Sequence, residues 1–408
     1  VVLTAAVVAL LLVGAGIAYA VLGSDDDPDE PGTADPTSAS TSGASSEPTS
    51  GDPSSGTTVA PSEGPVNGDL DGDGRGDLSI DYEPADDEVL RTTTWSSNGS
   101  TFVDAETDEL GPTTGLPTWR VRGHLDDDDT EDVLTFRQPG AEGPVSVTSD
   151  LSGDDTLDLE LPYTGPASGN DALADLDGDG TDDLFTLEVI KKQVVLTTWT
   201  FDGSAFGSPE KRLSLPVDDL NYFWIQPGDF NGDEVADLAT VELTGTFDRG
   251  YPGSVEIRLG DGEGGFAEPV SAPFTSAQSS MIVRSGDFDA DGSDELVVGD
   301  FDTRFVVLNV FDLDGDTITP RGNAGNLRNE GTAQAGPDLT VGDVDGDGYD
   351  DVVMVGLVRE DGNARVLVGK SNGTTFTSSR WLAWDQLFAD RENPDDRVRF
   401  DLLEDARW

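Results

Sequence analysis

The chain has 408 residues and a formal net charge of −59, with 82 acidic side chains against 23 basic ones. So large an acidic excess excludes nucleic acid and anionic lipid as partners, because both are recognised by basic surface. No cysteine is present and His124 is the single histidine, which removes disulfides, thiol catalysis, thiolate metal sites and most routes to zinc or imidazole chemistry. The acids fall in spaced motifs, so bound divalent cations are expected to offset their mutual repulsion. An acidic disordered chain is not expected, because the hydrophobic 35% is arranged in strand-like runs.

Taken in order, residues 1–23 form an unbroken apolar run, long enough to cross a bilayer as a helix at about 20 residues. The run reads as a transmembrane or signal-anchor segment. Neither an initiator Met nor a basic stretch precedes it, which implies that the natural chain begins earlier. Ala18-Tyr19-Ala20 has the form of a signal-peptidase site, yet the apolar run exceeds a usual cleaved core, so an uncleaved anchor is favoured over release after Ala20. In both cases the acidic flank places the rest outside the cell. Residues 24–65 are Ser, Thr, Pro, Gly and acids, a disordered acidic stalk whose ends would lie on the order of 35 Å apart.

From residue 66 to 408 one motif organises the chain. Its fullest copy is Asp343-Val-Asp345-Gly346-Asp347-Gly348-Tyr349-Asp350-Asp351, running into Val352-Val-Met-Val355. Carboxylates stand at the first, third, fifth and ninth places, and the sixth-place glycine supplies the positive φ of a tight curl. Such a loop wraps a hard cation that takes six to eight oxygens. The other copies are Asp69-Asp71-Asp73-Asp77, His124-Asp126-Asp128-Asp132, Asp175-Asp177-Asp179-Asp183, Asp229-Asn231-Asp233-Asp237 and Asp287-Asp289-Asp291-Glu295. First places are 55, 51, 54, 58 and 56 residues apart, and that steadiness means a repeat architecture.

Each loop opens into a β-rich segment, and later in each repeat two alternating runs flank a Gly-containing turn, as in Trp95 to Phe102 about Asn98-Gly99. With a short strand before the loop, each repeat holds four strands. The predicted fold is therefore all-β, a propeller of four-stranded antiparallel blades, with six favoured and seven possible. Gly153 and Gly315 sit in Asp-rich stretches that resemble further cation loops. They lie 29 and 28 residues after their own first places, the phase of the hairpin glycines Gly99, Gly203 and Gly373, so both are read as hairpin turns. The segment Val398 to Leu403 is either a closing strand for the N-terminal blade or a seventh repeat cut short.

An EF-hand would need a bidentate Glu at the twelfth place between helices. Here the twelfth places are Ile80, Thr135, Thr186, Thr240, Val298 and Met354. The six loops instead resemble those of FG-GAP repeats, the blades of integrin α-subunit propellers and of bacterial extracellular VCBS-type proteins. That resemblance implies a loop between the first and second strands of each blade, binding Ca²⁺ through the side chains named above and the seventh-place carbonyls. Those carbonyls belong to Arg75, Thr130, Thr181, Val235, Ser293 and Tyr349. Glu295 keeps ligating ability in the fifth loop. In the fourth, Asn231 keeps an oxygen while Glu234 replaces the glycine at a left-handed position. In the second, His124 is a poor ligand for a hard ion and Asp129 replaces the glycine, so this loop is expected to be empty and His124 structural.

Three features carry competing readings. Arg75-Gly76-Asp77 spells an adhesive tripeptide, but Asp77 is the ninth-place ligand. Asn98-Gly-Ser and Asn372-Gly-Thr have the form of glycosylation sequons, but Asn-Gly is also what a tight hairpin needs. Trp95, Trp199, Phe102, Phe206, Phe266 and Phe376 recur at like places about the hairpin turns, which suits packing between blades better than sugar stacking. The expected function is that of a non-enzymatic, calcium-stabilised monomer outside the cell, tethered by its N-terminal segment and acting as a binding or adhesion module for an extracellular protein or glycan. The alternative is an extracellular hydrolase or lyase with an acid pair in the central channel, although no nucleophile elbow or Cys/His constellation accompanies it.

Overall fold

The computed structural model describes residues 66–82, 89–112, 118–126, 128, 130–137, 145–150, 158–161, 171–190, 192–216, 222–244, 250–277, 281–301, 305–328, 338–358, 363–384 and 400–402. The expected membrane segment, the stalk, Asp129 and the turn at Gly153 lie outside these. Among the described residues no helix is long and apolar enough to cross a membrane.

The described strands form six four-stranded antiparallel sheets. From the inner strand outward, blade 2 is Thr118–Gly123, Asp132–Arg137, Val145–Asp150 and Asp158–Leu161. Blade 3 is Asp171–Ala174, Asp183–Ile190, Gln193–Trp199 and Glu210–Pro216. Blade 4 is Phe223–Gly228, Asp237–Leu243, Tyr251–Arg258 and Val270–Ser276. Blade 5 is Met281–Gly286, Glu295–Phe301, Phe305–Asp314 and Thr317–Arg328. Blade 6 is Asp338–Gly342, Asp351–Val358, Asn363–Lys370 and Thr377–Trp384.

Blade 1 is assembled from both ends of the repeat region. Leu78–Tyr82, Val89–Ser97 and Phe102–Pro112 supply three strands, and the inner one is Phe400–Leu402. Its register sets Ile80 opposite Leu402 and Tyr82 opposite Phe400. The C-terminal segment is thus a closing strand, and the ring has six blades.

Burial explains the strand sequences. Leu296, Val297 and Val298 in blade 5 are all fully buried because neighbouring blades cover both faces, so the second strands read as continuous apolar runs. The apolar clusters straddle adjacent blades: Leu78 and Trp95 of blade 1 pack with Val353 and Val366 of blade 6, and Val297 and Leu308 of blade 5 with Leu339 and Met354 of blade 6. The recurring aromatics belong to this packing. Phe102 meets Trp381 at 5.2 Å between ring centres and Phe288 meets Phe376 edge-on at 5.2 Å, each pair joining two blades. Trp199 is buried, and Phe206 and Phe266 pack against such clusters. Gly315 lies in the turn that pairs Asp314 with Thr317, a hairpin as its phase predicts.

Candidate metal centres

Each acidic loop leaves an inner strand and enters the second strand of its blade, except that in blade 1 the inner strand comes from the C-terminus. The first-place carboxylate nucleates the curl. In blade 1, Asp69 Oδ1 accepts from Gly72 N–H at 2.7 Å and Asp69 Oδ2 from Gly74 N–H at 2.7 Å. Asp175, Asp229 and Asp343 repeat this pair of bonds to their own fourth and sixth places, and Asp287 bonds the sixth at 3.0 Å. Both the fourth and the sixth residues are left-handed. Glu234 takes φ 66° at the sixth place and Ala290 φ 59° at the fourth, two side chains where glycine is the unstrained choice.

The curl brings the acids together. Ligand oxygens of Asp69, Asp71 and Asp77, of Asp175, Asp177 and Asp179, of Asp287, Asp289 and Asp291, and of Asp343, Asp345 and Asp347 each lie within 4.8 Å of one another. In the third-place acids Asp177, Asp289 and Asp345, Oδ1 is buried and has no hydrogen-bond partner. A buried, unsatisfied carboxylate oxygen facing two other acids is costly unless a cation completes it. The donor set is all oxygen, which suits Ca²⁺. The residues therefore fit the ion: Asp69, Asp71 and Asp77 would hold it in the first loop, whose fifth-place Asp73 pairs with Arg75 instead, and the first-, third- and fifth-place acids would hold it in the other three. Seventh-place N–H groups of Thr181, Ser293 and Tyr349 bond the fifth-place carboxylates Asp179, Asp291 and Asp347, and Val235 does the same to Asp233. That fixes the seventh peptide beside the cluster.

The ninth-place acids open the second strands and are nearly inaccessible: Asp132 and Asp351 are 0% exposed. Each clips its loop to the blade. Asp77 accepts from Leu70 N–H at 3.2 Å and Ser97 N–H at 2.9 Å, and Asp237 from Phe230 N–H at 3.0 Å and Gly260 N–H at 2.7 Å. Asp351 accepts from Ser371 N–H, and its Oδ2 is unpartnered. Burial, outweighing these hydrogen bonds, pushes Asp77, Asp183 and Asp237 up to about 7, Glu295 to about 8 and Asp351 to about 9. The Arg75-Gly76-Asp77 triplet is accordingly not displayed, since Asp77 is buried and bonded inward. Asn98 and Asn372 each turn their side-chain oxygen onto two N–H groups of their own turns, the role of a hairpin residue.

In the second loop, Asp126 accepts from Asp128 N–H and Asp128 from Thr130 N–H. Among the described residues no acid triad gathers there. In the fourth, Asn231 Nδ2 donates to Asp233 at 3.1 Å, so the amide stands beside the fifth-place acid.

No family model matches the sequence, that of FG-GAP repeats included, and no curated protein matches it. Solved structures do. A triple mutant of AofleA from Arthrobotrys oligospora is similar at 12% identity and a TM-score of 0.48, over 78% of this chain and 83% of that one. Rhamnogalacturonan lyase YesW is similar at 11% identity and TM-score 0.34, over 72% and 65%, and the Bacillus licheniformis rhamnogalacturonan lyase PL11 at 13% and 0.32, over 71% and 66%. The chain spans about two thirds of the lyases' length.

The sequence reading missed two sets of residues. The first holds the outer oxygen of the third-place acids: Ser96 Oγ donates to Asp71 at 2.8 Å, Lys370 pairs with Asp345, and Arg321 pairs with Asp289. Arg321 also reaches Glu295 at 3.1 Å and Asp312 at 2.6 Å. The second set is the eighth place. Its N–H donates to the first-place carbonyl of the preceding blade at every junction: Glu131 to Asp69, Asp182 to His124, Ala236 to Asp175, Asp294 to Asp229, Asp350 to Asp287 and Gly76 to Asp343, all at 2.6–2.9 Å. Where the eighth residue is Asp, its carboxylate accepts the first-place N–H in return, from His124 at 2.7 Å, Asp229 at 3.0 Å and Asp287 at 3.1 Å. The doubled acids Asp182-Asp183, Asp294-Glu295 and Asp350-Asp351 were the available signal.

Proposed function

We propose that this chain is a calcium-binding, non-enzymatic propeller, held outside the cell by its N-terminal segment, which presents a face of its ring to an extracellular protein or glycan. The unpartnered buried oxygens of Asp177, Asp289 and Asp345 inside acid triads carry the calcium reading. The ions would act structurally: they close loops that belong to the blades themselves, and the acids around them are committed to backbone N–H groups. The apolar run of residues 1–23 and the acidic stalk support the location.

A hydrolase or lyase is the second reading, favoured by one observation: Asp182 and Asp294 both line one cavity beside the acidic loops. Against it, each of these carboxylates is engaged by the first-place N–H of the preceding blade. Protein and glycan arrays probed with and without calcium test the proposal. It expects a calcium-dependent ligand and no turnover of it; cleavage of an arrayed glycan that persists in chelator would favour the enzyme.

A further inference from the structure

Between the inner strands and acidic loops of blades 2 to 5 lies a cavity of about 210 Å³. Its wall carries Glu131, Asp182 and Asp294 from eighth places, together with His124 and Gln226. The one arginine of the wall, Arg122, is directed into the protein: it pairs with Glu131 at 3.1 Å and donates to the Thr340 hydroxyl and the Val341 carbonyl. The wall is therefore acidic in balance.

Gln226 supplies an observation independent of the acids. Its side chain is 1% exposed, its Nε2 is spent on Ser285 Oγ and the Pro227 carbonyl at 3.3 Å each, and its Oε1 has no partner. Nδ1 of His124 is likewise buried without a partner. Buried acceptors left open in an acidic wall call for a ligand that brings N–H donors and positive charge.

The geometry narrows the class. A bare metal ion needs several oxygens converging on one point. The described loop triads do converge within 4.8 Å, and one of them includes Asp175 at the cavity's edge, whereas Glu131, Asp182 and Asp294 belong to no such group among the described residues. The space also far exceeds what one ion or water fills. Among the described residues no Phe, Tyr or Trp lines the cavity, so none of them offers the apolar face of a sugar ring a stacking platform.

We infer that this cavity receives a compact organic cation, a primary ammonium or a guanidinium, with Gln226 Oε1 and His124 Nδ1 as acceptors and the eighth-place carboxylates as counter-charge. A free amine and the lysine or arginine side chain of a partner present the same head group. The partner source rests on the proposed binding role; the free amine does not.

The test is calorimetric titration of the calcium-loaded protein at physiological salt, which suppresses diffuse attraction to the acidic surface. The probes are n-butylammonium, n-butylguanidinium, short capped peptides with a central Lys or Arg, and n-butanol and methyl glucoside as neutral controls. One saturable site for a cationic probe is expected, weakened about tenfold in Gln226→Met, the cost of one hydrogen bond to a charged group. Tighter binding of a peptide than of the matching alkyl cation assigns the site to a protein partner, and the reverse to a free amine. His124→Phe is the second variant, should Gln226→Met melt early, and carries the same expectation. No saturable cation site in the wild type, equal affinity in both variants, or binding of methyl glucoside instead would overturn the inference. A calcium-dependent melt with no cation site would sink this inference alone, while a calcium-independent melt would sink the proposed role of the loops.

Discussion

At the scale of single residues, one carboxylate oxygen matters most. Asp345 is held from one side by Lys370, itself 5.1 Å from the centre of the Trp381 ring; its other oxygen is buried and unpartnered, and the residue belongs to the triad with Asp343 and Asp347. Asp345→Asn should remove one bound calcium per chain, measured by elemental analysis after dialysis, while leaving the ring folded. Undiminished calcium would show that the third place does not ligate. The spacing of these acids was legible because alternate residues of a tight turn share one side. Lys370 and Arg321 were not, because each reaches its acid across a blade, from 25 and 32 residues along the chain. The fourth-place requirement for a left-handed residue was also invisible, since Ala290 stands where four other loops have Gly.

At the scale of elements, the loops do more than cradle ions. The closed series of bonds from eighth-place N–H to first-place carbonyl ties every blade to the next, so a loop's conformation is also its blade's register against the neighbour. Gly228 shows how tightly this junction is built: a Cβ there would meet Asp294 Oδ2 at 2.6 Å. The six repeats were readable from their period, and the hairpins from their Asn-Gly turns. The closing strand was ambiguous for a physical reason. Three residues carry no periodicity, and their partner strand lies at the other end of the repeat region. Deleting residues 400–408 should leave Leu78–Tyr82 with an unpaired edge and open the ring. The expected outcome is a lower and broader thermal transition, read by circular dichroism; an unaltered melt would mean that blade 1 does not need its inner strand.

At the scale of the whole molecule, the net charge of −59 makes the folded state depend on what neutralises it. Burial raises the ninth-place carboxylates to about 7 in Asp183 and about 9 in Asp351. Without calcium, the folded chain then keeps protons that the unfolded chain releases above about pH 4, so stability is highest at the acid end of this window and is lost as pH rises through 7 toward 9. Calcium binds the ionised groups and opposes that loss. The gap in Tm between calcium-loaded and calcium-free protein should therefore widen from about pH 5 to about pH 8. A gap independent of pH would mean that these buried acids are not linked to the ion.

The central claim is that calcium in the loops holds the ring together, and thermal unfolding with saturating calcium against excess EDTA tests it most directly. The account predicts a sharp fall in Tm on chelation, restored by added calcium. The same melting curve in both conditions would contradict it.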